Sequence, residues 1–101
     1  MFLKYAIKGF IEQNKKLLEF NEKYGLNIDN LNITKLNLGA EIIGNEGFKD
    51  LCELNLNQLK ELNLGSNHLT DISYLIKAKF TKLEKLNIQG NNISSYDILE
   101  Q

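Results

Sequence analysis

Few residue types in this chain of 101 residues could carry chemistry. There is one histidine, His68, and one cysteine, Cys52. A nitrogen- or sulfur-ligated metal needs three or four protein ligands, so a lone imidazole points to a surface histidine. No Cys–His motif surrounds Cys52, which falls on the apolar stripe of a predicted helix, where a buried structural thiol is expected. Gly39 and Gly44 have the spacing of a phosphate loop. The residue after Gly44 is Asn45, however, and not the lysine that would reach the phosphates, so both glycines are expected to serve as turn residues. The carboxylates are interleaved with lysines on solvated faces. The sequence thus offers no catalytic constellation, and neither a cofactor nor a metal is expected.

The composition narrows the remaining classes. The length suits one domain, above the size at which disulfides or metals become necessary. A hydrophobic share of 43% with 25% charged residues is that of an ordinary globular chain. The net charge of −1 gives no broad electrostatic case for nucleic acid or an anionic membrane. A single cysteine cannot form an internal disulfide and suits a reducing compartment, so the cytoplasm is expected. Lys4 and Lys8 interrupt any signal-peptide core near the start. No apolar run approaches the ~20 residues of a membrane span.

What must position the side chains is a recurring phrase. Residues 59–69 read Leu59-Lys-Glu-Leu62-Asn-Leu64-Gly-Ser-Asn67-His-Leu69, and residues 83–93 read Leu83-Glu-Lys-Leu86-Asn-Ile88-Gln-Gly-Asn91-Asn-Ile93. A weaker copy spans Ile33 to Ile43, with Leu36, Leu38 and Glu41 at the matching places. Leu36, Leu62 and Leu86 are 26 and 24 residues apart. The phrase L-x-x-L-x-L-x-x-N-x-L at this period resembles the leucine-rich-repeat superfamily over about residues 33–101. The resemblance implies an α/β fold: a short right-handed solenoid with a three-strand parallel sheet, its strands near 35–38, 61–64 and 85–88. Alternation along a strand then turns Leu36 with Leu38, Leu62 with Leu64 and Leu86 with Ile88 inward. In this family the asparagine at the ninth position hydrogen-bonds backbone groups of adjacent turns. Asn67 and Asn91 keep it. Glu41 does not, so the first turn should be looser, or closed by its neighbour.

Around this frame, residues 1–30 read as an N-terminal capping helix and connector, and residues 31–101 as the repeats. Phe2, Leu3, Ala6, Ile7, Phe10, Ile11, Leu17, Leu18, Phe20 and Tyr24 fall on roughly half the surface of a helix over residues 2–24, with Asn14 and Asn21 intruding. Gly25 is placed to end it in a left-handed cap. An open solenoid exposes its core at each end and needs such a cap. A partner- or membrane-surface helix is the alternative, although the polar face mixes Glu with Lys. Residues 31–33 either form a short extra strand or lead into the first repeat. Between the first two repeats, Asn45 is expected to be an N-cap, with Phe48, Leu51 and Cys52 as the buried stripe. The phrase from Ile43 to Cys52 resembles the helical half of ribonuclease-inhibitor-type repeats. Residues 69–76, with Asp71-Ile72-Ser73, resemble the shorter repeat of protein-phosphatase regulatory subunits, which carries a short helix or 3₁₀ turn on its convex side. After Asn91, Ile93, Tyr96, Ile98 and Leu99 are expected to supply the convex half of a third repeat, with no fourth strand. Either the segment from Ser94 caps the core, or the chain is a fragment of a longer array, or the open edge self-associates by pairing with another chain.

A binding surface is what the resemblance leaves. On the concave face of a horseshoe, outward residues stack in columns: Asn37, Asn63 and Asn87; Lys35, Glu61 and Lys85; Gly39, Gly65 and Gln89. The Lys–Glu–Lys column suits pairing within the sheet, and the Asn column could exchange hydrogen bonds with a partner. The expected function is a non-catalytic protein–protein interaction module acting through this face on an unidentified protein partner, with neither nucleic acid nor membrane involved. The alternatives are an N-terminal capping fragment of a larger scaffold and a regulatory subunit of an enzyme such as a phosphatase.

Overall fold

Each recurring leucine phrase lays down a strand of three residues. The structure, a computed structural model, describes residues 2–94. Its elements are helix α1 (Phe2–Tyr24), strand β1 (Lys35–Asn37), helix α2 (Gly44–Cys52), strand β2 (Glu61–Asn63), a 3₁₀ helix η1 (Ser73–Lys77) and strand β3 (Lys85–Asn87). The three strands form one parallel sheet in the order β1-β2-β3. Leu36 pairs with Leu62 and Leu62 with Leu86. Each strand ends one residue before the leucine or isoleucine expected to close it. Those residues still bond across: the Leu38 N–H donates to the Asn63 carbonyl at 2.9 Å, and the Leu64 N–H to the Asn87 carbonyl at 2.7 Å.

The inward leucines make the core. Leu59, Leu64 and Leu69 are fully buried, and Leu62 and Leu38 nearly so. The convex layer covers them from outside with Phe48, Leu51, Leu54 and Ile72. Burying a side chain of this size contributes about 1.5–3 kcal/mol relative to leaving it in water. No repeat could gather these contacts without its neighbours.

Helix α1 corrects one expectation. Its second half packs on this core through Leu17 and Phe20, and Tyr24 meets Phe20 in a tilted ring contact, 4.8 Å between centres. Its first half does not. Leu3 and Phe10 are 72% and 70% exposed, and Ile7 and Ile11 are also open; in the second half Leu18 too faces outward. At 1.5 Å per residue, a helix of this length is about 34 Å long, and among its described side chains Leu17 and Phe20 are the ones buried in the core. Gly25, at φ 64°, ends it as the sequence predicts, with the Leu26 N–H returning to the Asn21 carbonyl at 2.8 Å. Asn21 intrudes on the apolar face for a reason: its amide donates to and accepts from the Ile28 backbone, both at 3.0 Å, pinning the connector.

Two local expectations change. Residues 31–33 form a turn and irregular chain leading into β1, and no strand. The N-cap of α2 is Ile43, two residues before Asn45, and it makes no side-chain capping bond. Asn45 sits inside the first turn and reaches the next repeat, donating to Thr70 Oγ1 at 2.8 Å and accepting from the Thr70 N–H at 3.0 Å. At the other end of the chain, Tyr96, Ile98 and Leu99 lie outside the described residues.

Candidate functional site: the concave sheet face

The strand register brings the predicted columns together. Lys35, Glu61 and Lys85 stand side by side, as do Asn37, Asn63 and Asn87. They line a shallow depression of ≈ 470 Å³ on the face of the sheet. Glu61 lies between the two lysines, 3.2 Å from Lys35 Nζ and 3.6 Å from Lys85 Nζ. The hydrogen bond from Lys35, reinforced by both lysine charges, holds its carboxyl below the usual range.

The asparagine column has a structural duty that the sequence reading left out. Asn37 Oδ1 accepts from the Gly39 N–H at 3.0 Å, Asn63 Oδ1 from the Gly65 N–H at 2.9 Å, and Asn87 Oδ1 from the Gln89 N–H at 2.9 Å. Each is an Asx turn that carries the chain off its strand. Asn63 Nδ2 also donates to Asn37 Oδ1 at 3.0 Å, so that oxygen already accepts two bonds. The oxygens of the column are therefore committed to its own turns, and Asn63 Nδ2 to its neighbour, before any partner arrives. The signal was present in the sequence as Asn-x-Gly at positions 37–39 and 63–65. Glycine fits because a Cβ at Gly65 would lie 3.1 Å from Asn63 Oδ1 and 3.3 Å from the Gln89 carbonyl. Gln89, at the end of the third column, is exposed.

Behind the face, the ninth-position asparagines fix the turns. Asn67 is wholly buried. Its Nδ2 donates to the Leu38 carbonyl at 2.8 Å and the Gly65 carbonyl at 3.0 Å, and its Oδ1 accepts from the Ile43 N–H at 3.1 Å. Asn91 repeats the pattern one turn on, donating to the Leu64 and Ile88 carbonyls and accepting from the Asn67 and Leu69 N–H groups, all at 2.9 Å. The turn that carries Glu41 is closed by Asn67 from the adjacent repeat. Ala40 and Ile42 take left-handed backbone there, as Ser66 and His68 do after β2.

The chemistry-bearing residues lie apart from this face. Cys52 is buried on α2, and burial pushes its thiol up to about 12. His68 is exposed in the turn after β2. Gly39 falls in the turn after β1, and Gly44 is the first residue of α2. Among the described residues no group of three or more His, Cys, Asp or Glu side chains is placed to hold a metal ion, and no helix is long and apolar enough to cross a membrane.

Residues 57–101 match the family model described as Leucine Rich repeats, two copies. That span contains the second and third of the recurring phrases. No curated protein and no solved structure matches the chain.

Proposed function

The chain belongs to the leucine-rich-repeat superfamily, and we propose that it is a non-catalytic module that docks a protein partner on its concave sheet face. Domains of this superfamily generally mediate protein–protein interaction and are generally non-catalytic. One observation carries the assignment to this face. Its outward side chains are fixed before any partner arrives, by the Lys35–Glu61–Lys85 chain of ion pairs and the Asx turns of Asn37, Asn63 and Asn87. A surface that is already ordered loses little side-chain entropy on binding. Docking there is polar and shape-matched, with charge setting specificity more than raw affinity. The surface has no aromatic or arginine anchor, so the affinity belongs to a transient complex. In the same reading α1 is the N-terminal cap of a short solenoid, and the lone thiol of Cys52 belongs to a reducing compartment, the cytoplasm.

The experiment is affinity capture from cell extract with the native chain and with a Lys35→Glu, Glu61→Lys, Lys85→Glu variant. This exchange keeps opposite charges adjacent within the sheet while inverting what a partner meets. Substituting the asparagines instead would break turns and confuse folding with binding. A protein retained by the native chain and lost from the variant supports the concave face; equal retention moves the site elsewhere.

A second reading is favoured by the way Leu17 and Phe20 of α1 pack into the core beside α2. In it the chain is the capping end of a larger repeat scaffold. A native polypeptide of greater mass than this chain, detected with an antibody to residues 1–30, would support it.

A further inference from the structure

On the convex side, α2 and η1 flank a groove of ≈ 680 Å³ whose lining includes Cys52, Tyr74, Ile76 and four lysines: Lys16, Lys49, Lys77 and Lys79. The volume lies inside the range of about 300–1,000 Å³ typical of ligand clefts. Its walls are of two kinds. Tyr74 is half-buried, Ile76 is 64% exposed, and together they give an apolar floor. The four lysines stand exposed around it, with Lys49 Nζ 5.9 Å from the centre of the Tyr74 ring.

The charge is segregated. The chain as a whole has net charge −1, yet four lysines line this groove against one carboxylate, Glu53. Among the described residues none of the four lysines is in an ion pair. The lysines that are paired, such as Lys23, Lys35 and Lys85, lie elsewhere. From Ile72 to Leu83 the sequence has Lys77, Lys79 and Lys82 and no acid. Like charges gathered around a low-dielectric floor focus the field and raise the local concentration of anions.

We propose that this convex groove is a second docking site, which takes an acidic peptide segment of a protein partner bearing an apolar side chain among its carboxylates. The apolar side chain rests on Tyr74 and Ile76 while the carboxylates meet the lysine rim. The site is separate from the concave face and stands or falls independently of it.

The test is fluorescence anisotropy with a labelled peptide of alternating glutamate and leucine, alongside a peptide with lysine in place of glutamate. Three forms of the full chain are compared: native, Lys77→Glu with Lys79→Glu, and Lys4→Glu with Lys8→Glu. The last makes the same charge change on the exposed first half of α1, about 12–18 Å along the helix from Lys16, and circular dichroism checks that all three fold. The expected result is binding of the acidic peptide alone, weakened roughly tenfold or more by the groove variant and less than about twofold by the control. Raising salt from about 50 mM to about 300 mM should weaken it too, since the rim charges are solvent-screened. No binding at the lower salt, or equal losses in the two variants, overturns the proposal. So does binding of the native chain to anionic phospholipid vesicles with none to the peptide, or a peptide-independent dimer that the groove variant abolishes.

Discussion

Asn67 is the side chain on which the first turn depends. Its amide serves the Ile43 N–H and the Leu38 carbonyl from full burial. Orphaning those groups costs about 1–3 kcal/mol each, so Asn67→Ala should lose roughly 2–4 kcal/mol in urea unfolding. Asn67→Asp should be as damaging, because a carboxylate cannot donate to the two carbonyls; a neutral result for either variant would contradict this role. Ile42 predicts the opposite sign. It holds φ 55° while 63% exposed, and left-handed backbone costs a β-branched residue roughly 1–2 kcal/mol. Ile42→Asn should therefore raise the unfolding free energy measured in urea by about 0.5–1.5 kcal/mol. The asparagine ladder was legible in the sequence because the repeat spacing marks the ninth position. The strain at Ile42 was not, since nothing in its side chain announces a left-handed turn. Asn45 misled for a related reason: an asparagine beside a helix start is an N-cap by type, but here its amide is taken by Thr70.

Helix α1 and helix α2 are locked by polar and apolar contacts together. Lys23 Nζ meets Glu46 at 2.7 Å and Asp50 at 3.2 Å, and the Tyr24 hydroxyl donates to Asp50 at 2.6 Å. A Cβ at Gly47 would lie 2.5 Å from Ile43 Cβ and 3.2 Å from the Tyr24 ring. Gly47→Ala should thus destabilise by about 1–3 kcal/mol despite its better helix propensity, where an open site would have gained. Burial first, and the bond to Asp50 second, push the Tyr24 hydroxyl up to about 12, and burial does the same to the Cys52 thiol. Both groups ionise more readily in the unfolded chain, at about 10 and 8.5. Their contribution is complete below those values and is lost as pH rises toward 12. The urea midpoint should accordingly fall between pH 9 and 11, and Tyr24→Phe with Cys52→Ala should flatten that fall. The amphipathic pattern of α1 revealed a helix and its end at Gly25, but could not show where the core stops. Periodicity reports which face is apolar and carries no measure of how much of that face is covered.

At the scale of the molecule, the sequence carried the fold because the repeat is a phrase of fixed period, and each leucine in it has one inward direction. It located the concave columns for the same reason. What it could not show was that the Asn column spends its oxygens on its own turns, or that lysines distant in sequence, from Lys16 to Lys79, converge on one convex groove. Both depend on how successive repeats are set against one another. We propose the concave face as the working surface. Its most direct test is to titrate ¹⁵N-labelled chain with a captured partner and follow the backbone amides. The largest shifts should fall on residues 35–39, 61–65 and 85–89, with α1 little changed. Shifts confined to α1, or to α2 and η1, with those three stretches unmoved, would contradict it.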